Sequence, residues 1–149
     1  MTEKNHVIRS ATAEDLSAIT ELLQECELPT SDLTENNLAL FLVAETADKR
    51  IVGVAGLDRI GSTGLLRSVA VSRNWRRSGL GQRLVAQCET AALIAGVYDV
   101  FLMTVTAIDF FRRMEYLALS RGAVPAKIAE HSQFRSLYPS SAQCLGKRL

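Results

Sequence analysis

Apolar positions recur along this chain with two periods, and each switch between them marks an element boundary. Val7–Arg9 is a short strand candidate. Thr12 with Asp15 three residues on is an N-terminal capping pattern, and Leu16, Ile19, Leu22 and Leu23 follow at helical spacing, so a helix is predicted over Ala13–Cys26. Glu27–Asn37, with Pro29, Ser31, Asp32 and two asparagines, is a polar connection with room for one or two helical turns. Three strand-like runs follow, Leu38–Glu45, Ile51–Asp58 and Leu65–Val71. The gaps between them hold Ala47-Asp48-Lys49-Arg50 and Gly61-Ser62-Thr63-Gly64, which is turn chemistry of hairpin length, so an antiparallel meander is expected.

Leu80, Leu84, Val85, Cys88, Ala91, Ala92 and Ala95 then lay an apolar stripe along a helix that ends at Gly96. Tyr98–Val105 reads as a buried strand, Ala107–Met114 as a short helix, Tyr116–Arg121 as a strand, Pro125–Tyr138 as partly helical and Ala142–Leu145 as a last strand. A meander followed by strand-helix-strand units indicates a mixed α/β sheet rather than a doubly wound parallel one. With no repeat, linker or low-complexity tract, one domain over residues 1–149 is expected.

Bulk composition narrows the partners. Hydrophobic content of 48% with 22% charged residues is that of an ordinary globular protein, so a core of single-domain size is available. A formal net charge of +1 without a polybasic run gives no footprint for nucleic acid or a membrane surface, and no apolar stretch reaches the length of a membrane span. The polar start Met1–His6 is unlike a signal peptide. Cys26, Cys88 and Cys144 are odd in number and far apart, and His6 and His131 add no ligand spacing; no metal site is expected, the thiols read as structural, and a reducing cytoplasm is the expected location.

Positive charge is nevertheless uneven, with five arginines between Arg67 and Arg83. Among them runs Arg76-Arg77-Ser78-Gly79-Leu80-Gly81, directly after the apolar strand and at the start of the long helix. Glycines let a backbone approach a ligand closely, and the first-turn amides of a helix point outward beside the positive end of its dipole. Such a start seats a phosphate or pyrophosphate, and Arg73, Arg76 and Arg77 surround it with charge. Neither the Gly-x-x-x-x-Gly-Lys-Ser/Thr loop of nucleotidases nor the three-glycine dinucleotide fingerprint is present.

Two blocks together resemble the GCN5-related N-acetyltransferase (GNAT) superfamily over nearly the whole chain. Leu65-Leu-Arg-Ser-Val-Ala-Val71 with Arg76-x-x-Gly-x-Gly81 looks like that family's fourth strand, coenzyme A pyrophosphate loop and third helix. Ala107-Ile-Asp-Phe-Phe-Arg-Arg-Met-Glu-Tyr116 resembles its downstream block, usually Ala-x-x-x-Tyr-x-x-x-Gly-Phe/Tyr. The resemblance implies a β-α-α start, an antiparallel meander and an α-β-α-β-β remainder around a splayed central sheet. It also implies acetyl-coenzyme A as co-substrate and a small-molecule amine as acceptor; many relatives dimerise, so a homodimer stays an open option.

Carried over residue by residue, the backbone of Val69 and Val71, flanking Ala70, would hydrogen-bond the pantetheine arm as an added strand. The amides of Arg77, Ser78, Gly79, Leu80 and Gly81 would hold the pyrophosphate beside Arg76. Thr104, where the family often has asparagine, and Phe110, as core or as a wall beside the pantetheine, complete the implied cofactor set. A narrower resemblance joins Gly64–Val71, Thr104–Phe111 and the tail Gln133-Phe-x-x-Leu-Tyr-Pro-Ser-Ser-Ala142 to the small acetyltransferases of arsenic-resistance operons, although Tyr138 stands where that subgroup often has cysteine. The acceptors associated with it are amino-acid-like organoarsenicals and glutamate-like phosphinates.

Departures from the family pattern set the catalytic question. Phe111 occupies the position of the usual tyrosine general acid and cannot donate a proton, and Glu115 replaces the customary glycine. A substrate ammonium must lose a proton before it attacks, and Glu45 and Asp58, at the ends of adjacent strands, are the candidate bases, although each reads more readily as a solvated strand-end carboxylate. Arg67 lies inside an apolar strand, where it either pairs locally or faces the cleft and binds a substrate carboxylate or phosphonate. Ser68, also placed among the substrate contacts, would point to the opposite face by strand alternation, and Trp75 would cover the strand-helix junction. The rival readings are a coenzyme A-binding module without catalysis, which Phe111 favours, and acetylation of a protein or peptide.

Overall fold

The computed structural model describes residues 5–149; the first four residues, which begin the polar start discussed above, lie outside the described residues. The strands are β1 (His6–Ser10), β2 (Leu42–Thr46), β3 (Ile51–Ile60), β4 (Thr63–Val71), β5 (Asp99–Thr104), β6 (Leu117–Leu119) and β7 (Gln143–Arg148). The helices are α1 (Leu16–Glu25), α2 (Leu80–Ile94), α3 (Ile108–Arg113) and α4 (Ala126–Ala129). Seven strands form one open, mostly antiparallel sheet in the order β1-β2-β3-β4-β5-β7-β6, in which β4 and β5 are parallel. This is the mixed α/β architecture expected, with the polar connection reduced to one 3-10 turn at Glu35–Asn37.

Among the boundaries that differ from expectation, three have clear local reasons. Leu38–Phe41 is a turn, not the start of a strand: the Phe41 amide bonds to the Leu38 carbonyl, and the Phe41 carbonyl accepts from Ala11. The strand expected over Tyr116–Arg121 keeps three residues, because Tyr116 is still tied to the Phe111 carbonyl and Arg121 opens a 3-10 turn. The last strand runs on to Arg148 because β7 pairs with β5 on one side and β6 on the other.

The chain divides into two compact units. Among the described residues, the first comprises those up to 56 and 68–91. Its core sets Ile19, Leu22 and Leu23 of α1 against Phe41, Val43 and Val54. A Cβ on Gly56 would sit 2.3 Å from the Phe41 ring, so the ring lies directly on that backbone. At its rim Arg9 donates to Asp15 Oδ2 and Oδ1 at 2.8 and 2.9 Å and to both Glu45 oxygens at 3.2 Å.

The Arg9 guanidinium, helped by the Thr12 amide and opposed by burial, holds the Asp15 carboxyl down at about 2 from an ordinary 3.8. A carboxyl depressed in the folded state adds stability that is complete above the unfolded value and fades as pH falls from about 4 towards 2. With the Arg9 side chain one-third exposed, Arg9→Met is expected to lose about 1–2 kcal/mol at pH 7. Urea unfolding of parent and variant at pH 7 and pH 2 should show that gap closing in acid.

The second unit comprises residues 57–67 and 92–149. Its core joins Leu65 and Met103 to Ile128, Phe134 and Cys144. β4 and β5 run in parallel register over Thr63–Leu65 against Asp99–Phe101, and β5 continues antiparallel to β7 up to Thr104. All three cysteines are free; burial pushes the Cys88 thiol up to about 12 and the Cys144 thiol up to about 11, as expected of structural thiols. Among the described residues no helix is long and apolar enough to cross a membrane.

Candidate functional site

Between β4 and α2 the chain makes a 3-10 turn at Arg73–Trp75, extends at Arg76, and enters the left-handed region at Arg77 (φ 62°) and again at Gly79 (φ 81°). The Arg83 amide bonds to the Gly79 carbonyl at 3.1 Å, so the amides of Leu80, Gly81 and Gln82 lie ahead of the helical ladder. Arg73, Arg76, Arg77 and Ser78 are exposed around this helix start, which therefore presents both outward amides and fixed positive charge. Arg76 Nε also donates to the Val71 carbonyl at 3.1 Å, and the Ser78 hydroxyl to the Trp75 carbonyl, which ties the loop to the end of β4. Trp75 is half-buried and meets His6 edge-to-face at 5.4 Å, so it covers the start of β1. Ala70 belongs to the core of the first unit, while Val69 and Val71 are half-buried.

Simple alternation does not carry through β4. Ser68 has φ 57°, and the one-up, one-down rule that separated it from Arg67 fails at that residue; both are buried. Arg67 is only 3% exposed and donates through Nη1 to Asp58 Oδ2 at 2.9 Å. Asp58 is not a solvated strand-end group, as one expectation had it: it sits inside β3 and is largely buried. Its Oδ2 also meets His131 Nε2 at 2.7 Å, while the Gln133 amide donates to His131 Nδ1 at 3.0 Å. That amide fixes the tautomer: Nδ1 accepts, and Nε2–H donates to Asp58. Gln133 opens a π-helical turn, Gln133–Leu137, and is 3% exposed, yet its Nε2 has no hydrogen-bond partner among the described residues.

Sequence reasoning did not select His131 or Gln133 for the site. They lie more than sixty residues beyond Asp58 and Arg67, and only the tail motif that begins at Gln133 offered a signal. Glu45, the other candidate base, is held by Arg9, whose hydrogen bonds lower its pKa from the ordinary carboxylate value and so make it a weaker proton acceptor. Thr104 is buried, and its hydroxyl accepts the Ala107 amide at 3.0 Å, where it caps the approach to α3. Phe110, Phe111 and Tyr116 form an edge-to-face chain at 5.0 and 5.7 Å, with Phe111 and Tyr116 buried. Glu115 has φ 73°, so the position where the family carries glycine is left-handed here, at about 1 kcal/mol for a residue with a Cβ.

Residues 37–116 match the family model described as acetyltransferase (GNAT) domain. An amino-acid acetyltransferase of Pseudomonas putida is 26% identical over 132 residues, or 83% of this chain and 30% of that protein. N-acetylglutamate synthase from Neisseria gonorrhoeae, solved with coenzyme A and N-acetyl-glutamate, superposes with a TM-score of 0.83 at 22% identity over 99% of this chain and 36% of that one. A Mycobacterium tuberculosis protein solved with coenzyme A gives 0.77 at 22% identity, over 96% of this chain and 99% of that one. At such identities the structural likeness shows the fold. The chain spans between 30% and 40% of the length of the curated relatives it matches.

Proposed function

The chain belongs to the acetyltransferase (GNAT) domain family, and from that membership we propose that it is an acetyl-coenzyme A-dependent N-acetyltransferase acting by direct transfer on the amine of a small acceptor in the cytoplasm. The observation that carries this reading is the Arg76–Gly81 loop, whose left-handed Gly79, outward first-turn amides and exposed arginines suit a diphosphate. The amides of Arg77, Ser78, Gly79, Leu80 and Gly81 hold that group, Arg76 adds charge, and the backbone of Val69 and Val71 beside Ala70 lines the pantetheine arm; Thr104 and Phe110 complete the cofactor set. Acetyl-coenzyme A supplies an activated acyl group; the acceptor nitrogen forms the new amide bond as the carbon–sulfur bond breaks.

Asp58 takes the ammonium proton in this reading; the hydrogen bonds from Arg9 lower the pKa of Glu45 and make it the weaker candidate. Phe111 has no proton to give, so the departing thiolate takes one from solvent. The acceptor is amino-acid-like: an amino-acid acetyltransferase and an N-acetylglutamate synthase are among the similar proteins, and the tail resemblance extends the class to organoarsenical and phosphinate analogues, with Arg67 and Ser68 as acceptor contacts. A thiol-release screen across L-amino acids, phosphinothricin and amino-acid organoarsenicals is expected to find turnover that saturates in acetyl-coenzyme A. Tight acetyl-coenzyme A binding by calorimetry with no release across that panel would instead favour a coenzyme A-binding module without catalysis, the reading that Phe111 supports.

A further inference from the structure

We propose that the side-chain amide of Gln133 is a specificity-determining donor that hydrogen-bonds the α-carboxylate of an amino-acid acceptor whose ammonium meets Asp58. This deepens the acetyltransferase reading and rests on it. Buried amide groups are almost always paired inside a protein, and an orphan donor is the exception that needs a partner from elsewhere. Among the described residues Gln133 Nε2 is such an orphan, on a residue 3% exposed. It opens a π-helical turn, a geometry that shortens and widens a helix locally and recurs at functional sites. An apolar residue of the same length would fill the space without leaving a donor unmet, so the amide is a liability unless a ligand oxygen reaches it.

What surrounds it selects the ligand. The Gln133 backbone amide and Asp58 Oδ2 are bridged by a single imidazole, His131, with bonds of 3.0 and 2.7 Å. His131 thus ties Gln133 and Asp58 into one cluster, which holds an anionic acceptor group and the Gln133 side-chain amide, and a ligand that answers both carries a cation and an oxyanion close together. An α-amino acid does so. Arg67, beside Asp58 at 2.9 Å, offsets the charge of that carboxylate and keeps the cluster from being a plain cation trap. His131 acts here as a positioning residue, since its two nitrogens are spent on Asp58 and on the Gln133 backbone.

The test compares wild type with Gln133→Met, which keeps length and removes the amide, and with Gln133→Asn, which keeps an amide. Acetyl-coenzyme A binding is measured by calorimetry, thermal midpoint by scanning calorimetry, and kcat/KM with the best L-amino acid and with the matching amine that lacks the carboxylate. The expectation for Gln133→Met is unchanged acetyl-coenzyme A affinity, a melting point about 3 °C or more higher, and kcat/KM for the amino acid about 10- to 100-fold lower, mainly through KM. The decarboxylated amine should lose nothing, and Gln133→Asn should recover part of the amino-acid rate. Unchanged kcat/KM for the amino acid, or an equal loss for both acceptors, would overturn the assignment of Gln133. Acetyl-coenzyme A binding without turnover of any L-amino acid would overturn the acceptor class, and wild type that fails to bind acetyl-coenzyme A would overturn the underlying reading instead.

Discussion

Gly79→Val should weaken acetyl-coenzyme A binding about 100-fold or more and abolish thiol release, while the thermal midpoint falls by only a few degrees. Space is not the obstacle, since a Cβ at Gly79 would meet nothing within 4 Å. The obstacle is conformational. Gly79 sits at φ 81°, a region that costs a residue with a Cβ about 1–2 kcal/mol, and a β-branched side chain is the worst fitted to it. The loop therefore relaxes to a different path, and the amides that lead into α2 no longer converge on one anion. Each amide–phosphate hydrogen bond is worth about 1.5–3 kcal/mol, so misplacing two of them accounts for the expected loss.

Because the loop is exposed, little packing is lost with it. Gly79→Asn provides the control, since asparagine tolerates the left-handed region best among residues with a Cβ. Calorimetric titration with acetyl-coenzyme A should rank glycine above asparagine and both far above valine. If the valine variant bound as the parent does, the phosphate seat would have to lie elsewhere.

The loop was legible in the sequence because its chemistry is local: an apolar strand, a glycine at each end of Gly79-Leu80-Gly81 and the arginines all fall within some twenty residues. The meander was legible for the same reason, since Gly61-Ser62-Thr63-Gly64 is turn chemistry between two strand-like runs, although only Gly61 and Ser62 form the turn and β4 already begins at Thr63. What escaped is non-local or depends on backbone strain. The left-handed φ at Ser68 has no signature in a serine, so alternation was carried too far through β4. The short β6 depends on Tyr116 staying bonded to the Phe111 carbonyl, a tertiary detail of the α3 exit. Above all, Arg67 in its apolar strand signalled that a charge must be answered, but nothing in the one-dimensional chain said that the answer is Asp58 across the hairpin, with His131 brought in from a turn near the C-terminus. A buried charge announces that it has a partner without naming it.

That pairing carries the largest expected effect on stability. Arg67→Met should destabilise the fold by about 3 kcal/mol, because it strands the Asp58 carboxylate, whose side chain is only 15% exposed, without its arginine. The cost belongs to the unanswered charge rather than to the contact itself. Removing both charges together, as Arg67→Met with Asp58→Asn, should therefore recover much of the loss, since buried ion pairs often exchange for neutral groups of similar volume at little net cost. Urea unfolding of the two single variants and the double at pH 7 measures the coupling directly, and about 2 kcal/mol or more is expected for residues bonded at 2.9 Å. Additive losses would mean that the two side chains are held independently. The same three proteins separate structure from chemistry. Assayed at a temperature where all remain folded, the double variant should bind acetyl-coenzyme A as the parent does and still fail to turn over the acceptor, because the proposed acceptor contact Arg67 and the carboxylate that would take the ammonium proton are both gone.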